Sequence, residues 1–340
     1  MADTMQRWTM DAIGRGNLKL TEIAVPQPGP REIRVKVNAV SLNYRDKLAI
    51  ETGMGLDLPL PFTPASDMAG VIDATGAGTT RFKAGDRVIS NFTPGWIDGK
   101  PGGNARTPPY ITLGGALQGV LAEYVILHED WVSASPATLD DAQASTLPCA
   151  GLTAWFALVE RGRLRAGDSV LVQGTGGVAL LALQIAKAHG ATVYVTSGSD
   201  EKLARAKALG ADYGINRLNG DWVESVYSLT QDRGIDHIID TVGGPNLANS
   251  IRAVAVHGTI SVIGVFEGFD ISGPGGPLLL KSPVIQGIGV GHRRALEDLV
   301  RAVDTIGLKP VIDRQYGFDQ LPDALDHLDR GPFGKIVLTC

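Results

Sequence analysis

The residues best placed to do chemistry are glycines. The apolar stretch Ser169-Val170-Leu171-Val172-Gln173 runs into Gly174-Thr175-Gly176-Gly177-Val178-Ala179, and a helical pattern follows over Val178–His189. This is G-x-G-x-x-A between a strand and a helix. There Gly174 permits the tight turn, Gly176 lets backbone come close to a pyrophosphate, and the small Ala179 lets the helix pack on the strand. The free N–H groups and positive end of a helix that starts at Gly177 and Val178 stabilise phosphates. Isolated glycines mostly serve turns, so the motif draws its weight from the strand–helix repeats around it.

The tip of the next strand selects the dinucleotide, because a carboxylate there bonds a ribose 2′-hydroxyl and repels a 2′-phosphate. The chain reads Val195-Thr196-Ser197-Gly198-Ser199, without an acid. Ser197, Ser199, Lys202 and Arg217 are candidates for a 2′-phosphate, which favours NADP and leaves NAD as the alternative. Lys202 also belongs to a charge-rich helix whose face is solvated by default.

These residues need a doubly wound parallel sheet to hold them, and the sequence supplies one. From Ser169 onward, strands at Ser169–Gln173, Thr192–Thr196, Ile235–Asp240 and Thr259–Gly264 alternate with helices at Val178–His189, Asp200–Leu209, Trp222–Thr230 and Pro245–Val256, the rhythm of βαβ units. Before it, Ile33–Val40 alternates as a half-buried strand, with further β-rich runs at Ala69–Ala74, Arg87–Ser90 and Val120–Leu127. Residues 91–119 carry Pro94, Gly95, Pro101, Gly102, Gly103, Pro108 and Pro109 and form a long loop. The expected fold is α/β, with a dinucleotide-binding domain (142–270) set within a β-rich domain (1–141) and a closing segment (271–340) that returns to the sheet edge and the first domain. A chain of 340 residues with 44% hydrophobic side chains has material for two cores.

Charge and cysteine usage exclude several classes. The net charge is −5 with signs interspersed, so no basic run tracks a nucleic acid or an anionic membrane. No segment approaches the ~20 apolar residues of a membrane span, and the first ten residues do not read as a leader. Cys149 and Cys340 are the two cysteines, too few for a disulfide framework or a structural zinc lobe, which fits a reducing cytoplasm.

Several motifs in fixed order carry a family resemblance: Ser41-Leu42-Asn43-Tyr44-Arg45-Asp46, Gly85-Asp86-Arg87-Val88, Leu152-Thr153-Ala154-Trp155, the stretch from Val170 to Asn216, and Gly334-Lys335-Ile336-Val337. Over nearly its whole length the chain resembles the medium-chain dehydrogenase/reductase superfamily, particularly its zinc-free quinone oxidoreductase-like branch. The resemblance implies a GroES-like catalytic domain at both ends of the chain, a Rossmann domain between, an active-site cleft at their junction, and a homodimer joined through the apolar stretch Pro283–Val290. Zinc alcohol dehydrogenases are the near alternative. Asn43 stands where their first cysteine ligand falls, and Ala65-Ser66-Asp67 replaces Gly-His-Glu. Cys149 does fall at the third ligand position, but one soft ligand does not hold Zn²⁺, so no metal is expected and Cys149 reads as a small buried side chain.

Without a metal, catalysis rests on orienting the nicotinamide and on hydrogen bonds to the oxygen that gains charge. The resemblance implies that Asn43 touches nicotinamide or substrate and that Thr153 and the backbone of Gly264, Val265 and Phe266 line the nicotinamide. It also implies that Thr241, Val242 and Gly243 pass under the cofactor and that Lys335 contacts the pyrophosphate. Tyr44, Arg45 and Asp46 either start a helix or relay a proton; Asn43, Tyr44 and Asp46 are the candidate catalytic residues. Trp96 and Tyr110 either wall the substrate or anchor their loop, and His292 beside Arg293 reads as a helix cap. The expected function is NADP(H)-dependent hydride transfer to a quinone, enone or aldehyde. The alternatives are a metal-independent alcohol dehydrogenase or a dinucleotide-binding protein without turnover.

Overall fold

A computed structural model describes residues 3–340 and opens on an unanticipated hairpin, β1 (Thr4–Met10) paired antiparallel with β2 (Leu18–Ala24). The alternating run then becomes β3 (Glu32–Leu42), which buries Ile33, Val35 and Val37 on one face and almost everything from Ala39 to Leu42. Helix α1 (Tyr44–Thr52) leaves its end, followed by β4 (Asp67–Thr75), β5 (Arg87–Ser90), β6 (Tyr124–His128) and β7 (Val132–Ala134). No regular element lies between Ser90 and Tyr124, as the prolines and glycines there require. The expected strand over 120–127 is shorter at its start. The backbone there is bound to Pro64 and Ala65 by Val120 and to Trp8 by Leu121, not to a continuous ladder.

Two short helices follow, α2 (Asp141–Ala144) and α3 (Leu152–Trp155), and then the alternating region: β8 (Ser169–Gln173), α4 (Gly177–Ala188), β9 (Thr192–Ser197), α5 (Asp200–Ala208), β10 (Tyr213–Asn216), α6 (Trp222–Thr230), β11 (Ile235–Asp240), α7 (Leu247–Ala253), β12 (Val254–Val262), α8 (Gly275–Lys281) and β13 (Val284–Gly287). The six strands pair in parallel in the order β10-β9-β8-β11-β12-β13, the doubly wound order whose ligand crevice lies outside the carboxyl ends of the central strands. The helix expected over 245–256 stops at Ala253. From Val254 the backbone is extended and pairs with β11, bending where His257 takes φ +59°.

The chain ends in α9 (Arg293–Ile306), β14 (Ile312–Gly317), α10 (Leu321–Asp329) and β15 (Lys335–Thr339). β15 inserts between β14 and β3, so the second sheet runs β14-β15-β3-β4-β5-β7 with β6 also on β3. Its core gathers Ile33, Leu42, Phe62, Met68 and Leu121 with Leu321, Ile336 and Leu338.

The structure divides into two units, one running through Leu152 and resuming from Val290 to Cys340, the other Thr153–Gly289. The borders lie later than 141/142 and 270/271. Asp141 is tied to the first unit by Asn38 (2.7 Å) and Arg87 (2.5 Å), while residues 275–287 complete the parallel sheet. No helix among the described residues is long and apolar enough to cross a membrane.

Candidate active site and dinucleotide site

In the second unit the glycine turn has the predicted form. Gly174 takes φ +83°, a backbone conformation that favours glycine. Gly176, by contrast, has ordinary angles (φ −81°, ψ −174°), and a Cβ built there would meet nothing within 4 Å. No neighbour within the protein requires glycine at 176, and the bare backbone there leaves room for a ligand to lie against it. α4 begins beyond it, with Gly177 and the half-buried Val178 in its first turn and no side-chain cap. Its leading N–H groups therefore suit a pyrophosphate.

At the tip of β9, the buried Ser197 accepts a hydrogen bond from the Ser199 N–H (3.2 Å), and Ser199 caps α5 through the Lys202 N–H (3.3 Å). Arg217 is exposed beside this tip: a Cβ on Gly198 would lie 3.4 Å from its guanidinium Nη2. Lys202 is half-buried on α5. Ser197, Gly198 and Arg217 thus form a cationic, hydroxyl-bearing tip with no carboxylate at positions 197–199.

At the end of β11, Asp240 is wholly buried and shapes the next turn, its Oδ1 accepting from the N–H groups of Val242 (3.0 Å) and Gly243 (2.9 Å) and its Oδ2 from Ser250 Oγ (2.8 Å). Gln173 joins this network through Ser250 (3.0 Å) and Asn246 (2.8 Å). Thr241 Oγ1 donates to the Gln173 carbonyl (2.6 Å). The Thr241 and Gly264 backbones pass so closely that a Cβ on Gly264 would overlap the Thr241 carbonyl, which explains the glycine before Val265 and the exposed Phe266. Sequence reading missed Asp240 and Gln173; an Asp closing an apolar strand before Thr-Val-Gly-Gly was the available signal. Thr153 is buried at the start of this unit.

The first unit holds a separate polar centre where β3 passes into α1. Asn43 is the extended N-cap of α1, and its N–H donates to Asp46 Oδ2 (2.8 Å), the acidic half of a capping box. Asp46 is fully buried, and that burial pushes its carboxyl up to about 6, with Arg45 opposing and Asp67 reinforcing the shift. These contacts make it a cap. Tyr44 starts the helix half-buried, with the Lys47 ammonium 5.6 Å from its ring centroid. Arg45 donates to the Leu113 carbonyl (2.9 Å) and to Thr112 Oγ1 and lies over the Phe92 ring, which meets Tyr110 edge-on. That limb of the long loop is therefore fastened to α1. Trp96 serves as an anchor, meeting His292 edge-on at 5.4 Å, and His292 caps α9 as expected.

Asp67, also fully buried, accepts from Ser66 Oγ (2.6 Å) and from the Cys149 N–H (2.9 Å). Burial raises its pKa, opposed first by Lys335. Desolvation, reinforced by Asp67, pushes the Cys149 thiol up as well. Lys335 is buried in this unit, and its Nζ donates to the Leu42 carbonyl (2.5 Å) and Asn43 Oδ1 (2.6 Å). These two fixed oxygens hold the ammonium against the start of α1. The Asn43 amide favours the charged form of Asp67 without meeting full hydrogen-bond geometry, so its Nδ2 is buried without a partner.

These donors do not fit zinc. No three His, Cys, Asp or Glu side chains converge among the described residues, and the centre already contains an ammonium, whose charge opposes a second cation.

Comparison with known proteins agrees with both units. Residues 29–137 match the alcohol dehydrogenase GroES-like domain family, and residues 177–305 match the family described as zinc-binding dehydrogenase. A zinc-type alcohol dehydrogenase-like protein of Schizosaccharomyces pombe is 38% identical, with 96% of each chain covered. The quinone oxidoreductase of Rattus norvegicus is 30% identical over 94% of this chain and 93% of its own. A crystal structure of a putative alcohol dehydrogenase from Sinorhizobium meliloti 1021 is 66% identical and superposes with a TM-score of 0.98 over 100% of both chains.

Proposed function

The chain belongs to the medium-chain dehydrogenase/reductase superfamily of nicotinamide-dependent oxidoreductases, and from that premise we propose that it reduces a quinone, enone or aldehyde with NADPH and without a catalytic metal. The observation that carries the metal-independent reading is Lys335, whose ammonium is bonded to Asn43 and whose charge acts on Asp67 and Cys149. When bound, the dinucleotide supplies hydride from nicotinamide C4. The chain holds it through the Gly174–Val178 turn, with Thr153, Thr241, Val242 and Gly264–Phe266 near the nicotinamide end. Asn43 donates a hydrogen bond to the substrate oxygen as that oxygen gains charge, with Tyr44 the candidate proton donor. Such a donor acts most strongly where water is excluded.

NADPH is favoured over NADH by Ser197, Lys202 and the exposed Arg217 at the tip of β9. The names of the Schizosaccharomyces and Sinorhizobium relatives favour a second reading, alcohol–carbonyl interconversion by the same donors. Two chains associate in this reading through β13, whose outer edge is unpaired and beside which Leu279, Leu280 and Val284 are exposed. The free thiols Cys149 and Cys340 suit a cytoplasmic protein.

The test is the initial rate of NADPH and NADH oxidation with 9,10-phenanthrenequinone and with an enone, before and after dialysis against a strong chelator. Chelator-insensitive NADPH oxidation is expected. Loss of activity on chelation with rescue by zinc would overturn the metal-independent reading, and tight NADPH binding without turnover on any acceptor would favour a binding protein.

A further inference from the structure

The Lys335–Asn43 contact joins residues 292 positions apart and fixes something that neither residue fixes alone. An asparagine amide can be turned end for end with little change in shape, exchanging an acceptor for a donor. Here the choice is forced. An ammonium has only hydrogens to offer, so the end of the amide 2.6 Å from Lys335 Nζ must be Oδ1. Lys335 is itself held by the Leu42 carbonyl at 2.5 Å, and only 4% of its surface is exposed. The opposite end, Nδ2, belongs to a residue 92% buried and lies near the Asp67 carboxylate without a hydrogen bond of full geometry. It carries two hydrogens, so even with one turned to Asp67 the other is left to donate to an outside acceptor.

We propose that Lys335 is a positioning residue for hydride transfer: its ammonium locks the Asn43 amide with Oδ1 inward, so that Nδ2 is presented to the substrate oxygen that gains charge. This rests on the reading of Asn43 given above. Lys335 itself gains and loses no proton in the step. Its effect passes through Asn43, and that separates this role from simple compensation of the Asp67 charge, which does not depend on which residue occupies 43.

The experiment is a double-mutant cycle with Lys335→Met and Asn43→Ala, following NADPH oxidation by 9,10-phenanthrenequinone, thermal midpoint and NADPH affinity. Each single variant is expected to lower kcat by about 10- to 100-fold with NADPH affinity unchanged, and the double variant is to be no slower than the slower single. Losses that multiply would overturn the proposal, as would Lys335→Met at the wild-type rate beside a slow Asn43→Ala. If both singles run at the wild-type rate, the assignment of Asn43 fails as well.

A second readout needs neither turnover nor a stable Met variant. In deuterated, ¹⁵N-labelled protein, the Asn43 amide pair is identified as the side-chain signal missing from Asn43→Asp, which keeps an acceptor for Lys335. That signal is expected to move in Lys335→Met and to stay near its wild-type position in Lys335→Arg, which still donates. An unmoved signal in Lys335→Met, or Lys335→Arg that keeps the signal but loses kcat as fully as Asn43→Ala, would overturn the proposal.

Discussion

Replacing Asp46 by Asn separates a helix cap from a proton relay, and the structure gives the direction and size of the effect. In an unfolded chain the carboxyl titrates near 3.8; burial in the folded protein pushes it up to about 6. The folded state thus holds this proton more tightly, and the stability that comes from it is complete below pH ~4 and lost as pH rises through 6. A shift of about two units corresponds to roughly 3 kcal/mol of cost carried by the ionised group at pH 8. Asp46→Asn removes that cost and keeps an oxygen for the Asn43 N–H. Against it, Arg45 loses a counter-charge 3.5 Å away but retains the Leu113 carbonyl and Thr112, a loss of about 1 kcal/mol. The net expectation is a gain of about 2 kcal/mol at pH 8 that vanishes near pH 4, with kcat held within about twofold. Thermal and urea unfolding at the two pH values, with steady-state rates, measure it. Lower stability at pH 8, or an equal gain at pH 4, would refute the burial argument; a rate loss of about a hundredfold in a stable variant would show that Asp46 moves a proton.

Three further outcomes are expected. Arg217→Ala should raise the KM for NADPH by about 10- to 100-fold, the loss of one charge-assisted hydrogen bond, and leave NADH unchanged; equal effects on both would remove Arg217 from the 2′-phosphate site. Gly176→Ala should leave the thermal midpoint nearly unchanged, because its Cβ meets nothing in the protein, while overpacking against the ligand costs about 1–3 kcal/mol of dinucleotide affinity by fluorescence titration. Wild-type affinity there would mean that the pyrophosphate does not lie against that backbone. Sedimentation velocity should give a dimer that Val284→Lys weakens, and a wild-type monomer would overturn the β13 association.

The parallel sheet was legible because its glycines, apolar strands and amphipathic helices agree with one another, as at Gly174, which needs positive φ where the motif places it. The hairpin β1–β2 escaped notice because its residues alternate only weakly in burial and no two-residue turn signal joins them. Val254–Val256 falls with the preceding helix on local pattern, which does not reveal that Val254 pairs with Ile235 of β11 and is drawn into the sheet. In the polar centre of the first unit, Asn43 and Asp46 are three positions apart and announce their cap. The contacts of Lys335 with Leu42 and of Asp67 with Cys149 span 293 and 82 positions, and nothing local in either segment marks its partner.

The late entry of β15 between β14 and β3 also bears on synthesis. Residues 153–289 hold all the strands of the parallel sheet and can fold as a unit while the ribosome is still working. The other sheet waits, with the edge of β3 at Ala39–Leu42 that pairs with Ile336–Thr339 left bare until residues 335–339 emerge. Because the same strand delivers Lys335 to Asn43, a nascent or truncated chain lacking those five residues would have the glycine turn but an unfinished polar centre. Assembly of that centre is thus coupled to completion of the fold.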